Sequence, residues 1–144
     1  MDNIDSIDEI LEFAITREIE AYQLYMYIAK RAENYQIRKV CEDFAQEELE
    51  HKAKLELEVM KTCKVVRDFD ISLYTDDAGE PIDMDYKELL VFAIKKEEKS
   101  IKLYSDLAAI VKDITSRETL LALVEEEKQH KQRFETEYKV LKDI

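Results

Sequence analysis

The chain contains two copies of one pattern, and this internal repeat constrains the fold more than any other feature. Matching residues lie 79 positions apart in the two copies. The pairs that carry the repeat are Phe13-Ala14-Ile15 and Phe92-Ala93-Ile94, Glu18 and Glu97, Tyr25 and Tyr104, Glu47-Glu48 and Glu126-Glu127, and His51 and His130. A repeat of this length indicates one supersecondary unit that is used twice.

Each copy has the pattern of two helices. Apolar residues recur at spacings of three and four, which is the helical period. The 144 residues include one Gly and one Pro, and the turns of an all-β fold or a Rossmann sheet depend on those residues. The composition therefore disfavours both folds, and we predict an all-α protein. The predicted helices cover residues 5–32, 35–64, 85–111 and 115–142.

Short polar side chains mark the predicted helix ends. We expect Asp5 or Ser6 to cap the first helix, Asn34 to separate the first two, Asp83 or Asp85 to cap the third, and Thr115, with Glu118 three residues later, to cap the fourth.

Residues 65–84 interrupt the helical pattern and contain the single glycine and the single proline, Gly79 and Pro81. A helix of about 28 residues is about 42 Å long, and about 20 extended residues can reach about 60 Å. This connection can therefore cross the full length of a bundle. We predict one domain over residues 1–144, a ferritin-like four-helix bundle of two αα-hairpins with a long crossover. A homodimer that exchanges its hairpins fits the same pattern.

The net charge of −12, from 34 acidic against 22 basic residues, narrows the choice of partners. A surface with this much negative charge repels nucleic acid and anionic lipid, and we therefore exclude both as partners. No segment approaches the roughly 20 apolar residues of a membrane span, and the acidic start does not match a secretory signal. We expect a cytoplasmic protein. Two cysteines are too few for a four-cysteine metal site.

Each predicted helix carries a glutamate on its apolar stripe, and two carry a histidine three residues later. These six residues are Glu18, Glu48, His51, Glu97, Glu127 and His130. Buried unpaired carboxylates are costly and repel one another, but two divalent cations would balance four of them. Two Glu-x-x-His helices with two single-Glu helices form the arrangement of di-iron and di-manganese bundles. We predict two iron ions as the cofactor, with manganese or a mixed pair as the alternative.

Tyr25 and Tyr104 lie seven residues after Glu18 and Glu97, on the same stripes. A buried tyrosine usually finds a partner for its hydroxyl, and a ligand carboxylate is one candidate. We therefore treat both tyrosines as candidate catalytic residues beside the ligands, with simple core packing as the alternative. The remaining acidic residues near the stripes are interpreted as surface charge: Glu20, Glu47, Glu50, Glu98 and Glu126.

The sequence resembles the rubrerythrin-type members of the ferritin-like superfamily. The resemblance rests on Ala14-Ile15-Thr16-Arg17-Glu18 with Tyr25, Glu47-Glu48-Leu49-Glu50-His51, Ala93-Ile94-Lys95-Lys96-Glu97 with Tyr104, and Glu126-Glu127-Lys128-Gln129-His130. It covers both hairpins and implies a four-helix bundle that holds two irons through the six residues named above.

Two departures from the family pattern bear on function. Full-length rubrerythrins carry a C-terminal rubredoxin domain with four cysteines, which supplies electrons, and we expect this chain, which ends at Ile144, to lack it. Electrons would then come from a separate rubredoxin-like protein. The family also usually has a further glutamate one turn after the third-helix ligand, and Ser100 stands there. The family's peroxidase mechanism therefore does not carry over directly.

The resemblance and the six residues together favour a di-iron oxidoreductase that reduces peroxide or dioxygen with electrons from a separate donor protein. Two further functions fit the same residues. One is ferrous iron oxidation or storage, which needs a hollow assembly, and the second is a metal-binding module without turnover.

Overall fold

The computed structural model describes residues 3–59, 65–75 and 81–142. It contains four long helices: α1 (Ile7–Arg31), α2 (Tyr35–Val59), α3 (Tyr86–Ile110) and α4 (Ile114–Lys142). Helix α1 packs along α2 and α3 along α4, and the two hairpins meet through α1 with α3 and α2 with α4. The predicted all-α bundle of two hairpins with a long connection is confirmed. Within the described part, no helix combines the length and the apolar character that crossing a membrane requires.

The two short turns are built in the same way in both hairpins. Asn34 accepts a hydrogen bond from the backbone nitrogen of Ile37 at 3.3 Å, and Asp113 accepts one from that of Ser116 at 2.9 Å. These are the N-cap contacts that satisfy the free N–H groups of a helix start. The prediction that Thr115 caps the fourth helix is wrong, because Asp113 makes this contact and the helix already begins at Ile114.

An arginine closes each of these turns. Arg38 donates from Nη2 to the carbonyl of Ala32 at 3.0 Å, and Arg117 donates from Nη2 to the carbonyl of Val111 at 2.9 Å. Both arginines and both carbonyls are equivalent in the repeat. The repeat therefore extends from the helices to the turns.

Helix α3 begins at one of its two predicted caps. Asp85 accepts from the backbone nitrogen of Glu88 at 2.8 Å, and the Glu88 carboxylate accepts from the backbone nitrogen of Asp85 at 3.1 Å. This reciprocal pair is a capping box, and it sets the start of α3 after the long connection.

The chain also forms a two-stranded ribbon that the sequence interpretation missed. Strand β1 (Asn3–Ser6) pairs antiparallel with β2 (Val65–Asp70), with an irregularity between Ile4 and Ser6. The predicted first helix therefore begins at Ile7, two positions after its predicted start, because residues 5 and 6 belong to β1. Residues 65–70 interrupt the helical pattern as predicted, but they form a strand. Adjacent β-branched residues at the start of β2 favour the extended backbone. The predicted end of the second helix, residues 60–64, and Gly79 lie outside the described residues.

The long connection lies against α3. After β2 comes a short 3₁₀ helix, Ile71–Tyr74. Tyr74 stacks on Phe69, with ring centroids 5.4 Å apart, and its hydroxyl donates to Asp106 of α3 at 2.8 Å. Lys99 of α3 donates from Nζ to the carbonyl of Leu73 at 3.1 Å. These contacts attach the ribbon to one end of the bundle.

Two apolar clusters fill the bundle, one on each side of its middle. The first includes Ile10, Leu55, Leu107 and Leu120, and the second includes Ile28, Leu89, Leu90 and Phe134. Burying one such side chain fully is worth about 1.5–3 kcal/mol. Each helix carries one or two of the six predicted ligands, and these lie between its residues of the first cluster and its residues of the second. The fold therefore places them in the middle of the bundle.

Candidate metal centre

All six residues predicted as ligands are buried, with at most 1% exposure. Helix α1 supplies Glu18 and α3 supplies Glu97, while the other two helices each supply a glutamate and a histidine. Glu48 precedes His51 by three residues, as Glu127 precedes His130, and residues three apart share one face of a helix. The four helices thus bring the six side chains together.

The six residues form two overlapping groups. In each group, the potential ligand atoms all lie within 4.8 Å of one another. One group consists of Glu18, Glu48, His51 and Glu127, and the other of Glu48, Glu97, Glu127 and His130. Each contains three carboxylates and one imidazole. Glu48 and Glu127 belong to both groups, so they are the two residues that the groups share.

Both histidines direct Nδ1 toward the carboxylates. His51 Nδ1 lies 3.0 Å from Glu127 Oε1 and 3.4 Å from Glu18 Oε2. His130 Nδ1 lies 2.9 Å from Glu48 Oε1 and 3.6 Å from Glu127 Oε1. Nitrogen and oxygen donors therefore converge from all four helices.

The donor atoms of this cluster are short of hydrogen-bond partners. Among the described residues, both carboxylate oxygens of Glu48, Glu97 and Glu127 have none, and neither has Nδ1 of either histidine. The short contacts at Nδ1 therefore lack hydrogen-bond geometry. Buried polar atoms are normally satisfied, and three-carboxylate groups with one imidazole suit divalent iron or manganese. The residues present fit two such ions.

The charges of the cluster act on one another. Burial, followed by the charges of Glu127 and Glu18, raises the pKa of Glu48 well above its usual value, and burial with the charge of Glu127 does the same for Glu97. Burial alone would lower the pKa of His51, but Glu127 and Glu18 outweigh it and raise the pKa to about 10. Burial would raise the pKa of Glu127, but its contact with His51 is the leading influence that lowers it to about 2. Four carboxylates thus cannot all be charged at low cost without added cations.

The two tyrosines differ in their contacts. The hydroxyl of Tyr104 donates to Oε1 of Glu18, across the α1–α3 interface. The hydroxyl of Tyr25 is buried and has no hydrogen-bond partner among the described residues. Its ring packs edge-on against that of His130, with centroids 6.3 Å apart. Tyr104 therefore contacts a candidate ligand through its polar atom, and Tyr25 through its ring.

Ser100 is buried on α3, one turn after Glu97. Its equivalent in the first hairpin, Ala21 on α1, is buried as well. Neither position supplies a carboxylate, so the cluster keeps one glutamate on each of these two helices.

Sequence reasoning misjudged two acidic residues. Glu126 Oε2 lies 2.9 Å from His51 Nε2, and Glu47 Oε1 lies 3.6 Å from His130 Nε2. Their side chains are 32% and 34% exposed, so the interpretation as surface charge leaves out their contacts with the histidines. The Glu-Glu pair repeats before each histidine, but this local pattern does not show that the first glutamate of each pair contacts the histidine of the other hairpin. The three further acidic residues interpreted as surface charge, Glu20, Glu50 and Glu98, are exposed.

Comparison with solved structures shows the fold. A ferritin-like diiron-carboxylate protein assigned in Thermotoga maritima matches with a TM-score of 0.82 at 19% identity, over 96% of this chain and 97% of that chain. A hypothetical protein from Pyrococcus furiosus matches with a TM-score of 0.77 at 21% identity, over 96% of this chain and 91% of that chain. The manganese catalase KatB of Anabaena matches with a TM-score of 0.67 at 18% identity, over 98% of this chain and 76% of that chain. These identities support a common fold alone.

Comparison by sequence is more specific. No curated protein is significantly similar to this chain. The profile of the rubrerythrin family matches residues 9–79 and 88–143, which span both hairpins and all six clustered residues. The chain therefore belongs to the rubrerythrin family.

Proposed function

We propose that this protein is a di-iron carboxylate oxidoreductase that reduces peroxide or dioxygen with electrons from a separate donor protein. The observation that carries the proposal is the pair of overlapping ligand groups, in which six fully buried side chains present donor atoms that lack hydrogen-bond partners within the described chain. Family membership supports the same assignment.

Charge balance favours two divalent ions over an empty cluster. In the deprotonated form that binds metal, four carboxylates with two neutral imidazoles would carry a charge of −4, which two divalent cations would cancel. Without cations the raised pKa values of Glu48, Glu97 and His51 keep protons on the cluster instead. An uncompensated buried charge costs several kcal/mol. The cluster is therefore better explained as a binding site than as part of the core.

Two ferrous ions supply two electrons, the number needed to convert hydrogen peroxide and two protons into two water molecules. Glu18, Glu48, His51, Glu97, Glu127 and His130 would hold the two ions, which would supply redox chemistry for an oxygen substrate. Around them, the chain provides an apolar enclosure from its two core clusters, and Tyr104 orients Glu18 through its hydroxyl. Continued turnover then needs an external electron source, for which a rubredoxin-like protein is the expected partner.

The test is the oxidation of anaerobically loaded diferrous protein by hydrogen peroxide in a stopped-flow instrument. We expect one peroxide to oxidise two irons, and the reaction to be faster than that of free ferrous ion. Glu127→Gln should slow it, because Glu127 belongs to both groups. Glu125→Gln is the matched control, since its side chain is 69% exposed. Oxidation no faster than that of free ferrous ion would contradict the proposal.

A second candidate is peroxide disproportionation by a manganese pair. The observation that favours this candidate is the similarity in fold to a protein described as a manganese catalase. Such a reaction needs no donor, because two peroxides yield dioxygen and two waters. Oxygen evolution by manganese-loaded protein without reductant would support this candidate, whereas its absence, together with rapid oxidation of the diferrous form, would support the di-iron assignment.

Ferrous oxidation or storage, and metal binding without turnover, are also compatible with a buried dinuclear site. Storage needs a hollow assembly, so sedimentation at the mass of a monomer or dimer would exclude it. A homodimer, the exchange of hairpins between its chains and a cytoplasmic location remain predictions.

A further inference from the structure

Each Glu-Glu pair contacts the histidine of the other hairpin from two sides. Glu127 Oε1 lies 3.0 Å from Nδ1 of His51, and Glu126 Oε2 lies 2.9 Å from Nε2 of the same ring. Two successive residues of α4 thus place a carboxylate oxygen beside each ring nitrogen of His51, on α2, and the contact at Nε2 is a hydrogen bond.

His130 has an equally short contact at Nδ1, but its contact at Nε2 is longer than that of His51. Glu48 Oε1 lies 2.9 Å from Nδ1 of His130, and Glu47 Oε1 lies 3.6 Å from Nε2. Glu126 forms a hydrogen bond with Nε2 of His51, whereas the contact of Glu47 with Nε2 of His130 is too long for one. In addition, Lys54 Nζ lies 3.8 Å from the oxygen of Glu126 that faces His51, whereas in the described residues Glu47 has an ion-pair contact with His130 alone.

We propose that Glu126 and Glu47 are positioning residues for the metal site, and that the closer Glu126 contact makes the metal position beside His51 the tighter of the two. This inference rests on the metal-binding part of the proposed function. A carboxylate that accepts the Nε2 proton fixes the ring in the tautomer whose Nδ1 lone pair faces the metal position. It also holds the orientation of the ring and makes the ligating nitrogen more basic.

The exposure of these carboxylates distinguishes them from the ligands. Glu126 and Glu47 are about one-third exposed, whereas the six clustered residues are at most 1% exposed. Both contact a ligand from its solvent side. They act on the metal through the histidine and are not ligands themselves.

The experiment is an anaerobic cobalt(II) titration of the apo protein, followed by absorption. We expect two equivalents for wild type, with unequal affinities. Glu126→Ala should weaken the tighter equivalent by about 10- to 100-fold, and Glu47→Ala should weaken the other by a smaller factor. Glu126→Gln should recover part of the loss, because its amide oxygen can still accept from Nε2. Glu125→Ala, exposed and one residue away, is the matched control and should bind as wild type does.

Nitrogen NMR of zinc-loaded, ¹⁵N-histidine-labelled protein separates positioning from a general structural role. The chain has two histidines, so each ring gives its own signals. Wild type should show metal at Nδ1 and a slowly exchanging proton at Nε2 of His51, and Glu126→Ala should speed the exchange of that proton while circular dichroism stays unchanged.

The outcomes separate the two proposals. If wild type binds two equivalents and Glu126→Ala binds both as tightly as the control does, the positioning role is wrong and the metal site stands. Equal weakening of both equivalents by Glu126→Ala would contradict the assignment of the tighter position. If wild type binds none or one, the proposed function and this inference both fail.

Discussion

Tyr104 on α3 donates its hydroxyl to Glu18 on α1, 86 positions earlier in the chain, while Tyr25, at the equivalent position of the first hairpin, has a buried hydroxyl without a hydrogen-bond partner in the described residues. Burial leads the causes that raise the pKa of Tyr104, followed by the charge of Glu18, so this tyrosine remains a donor. The repeat therefore preserves residue types at these positions while the contacts differ.

Removal of the two tyrosine hydroxyls should have different effects on stability. Tyr104→Phe should destabilise the apo protein by about 1–3 kcal/mol, because it removes the donor to a buried carboxylate. Tyr25→Phe should be neutral within about 0.5 kcal/mol or slightly stabilising, since it removes an unpaired buried polar group. Urea denaturation of both apo variants at one pH measures this. Equal losses in the two variants would contradict the difference in contacts.

Metal binding should stabilise the folded chain. At a free metal concentration 100 times Kd, each equivalent adds about 2.7 kcal/mol, and it also relieves the repulsion among the buried carboxylates. Calorimetry with manganese(II), which does not oxidise readily, should show a higher Tm for the loaded protein. Glu127→Gln should lose most of this gain, whereas Glu125→Gln should keep it. A Tm that metal leaves unchanged would argue against the site.

Metal binding should also release protons. The pKa values of Glu48 and Glu97 are raised in the apo protein, so these carboxyls keep their protons to higher pH than free glutamate does. A metal must displace those protons, and the apparent affinity should therefore rise with pH and fall as acid is added. Titration calorimetry in two buffers of different ionisation enthalpy measures the protons released. A binding heat that does not depend on the buffer would contradict this expectation.

The start of α4 provides a test of the capping contacts. Asp113→Ala should cost about 1 kcal/mol, because Asp113 accepts from the backbone nitrogen and the hydroxyl of Ser116. Thr115→Ala, at the position that sequence reasoning selected, should change stability by less than about 0.5 kcal/mol. Chemical denaturation of both variants decides between the two caps, and a larger loss for Thr115→Ala would reverse the assignment.

The helices were predictable because their signals are local. Apolar spacing, the repeat and cap residues such as Asp85 act within a few positions, and the structure bears out the four helices with shifted ends. The clustering of the six polar residues was predictable for the same reason, since each lies on an apolar stripe between core residues.

The features that sequence reasoning missed depend on contacts between distant segments. Strand β1 needs β2 as its partner, about 60 positions away, and nothing near Asn3 shows that pairing. Glu126 similarly has a surface pattern on its own helix, and its role depends on His51 of α2, 75 positions away. Local patterns identified the ligand candidates, but the residues that contact them from outside needed the fold.

The six clustered residues are divided equally between the two hairpins. Glu18, Glu48 and His51 come from the first hairpin, and Glu97, Glu127 and His130 come from the second, so each contributes two carboxylates and one imidazole. Each ligand group draws three members from one hairpin and one from the other. A single hairpin thus holds half of the donor set, and two identical hairpins in the same arrangement would have all of it.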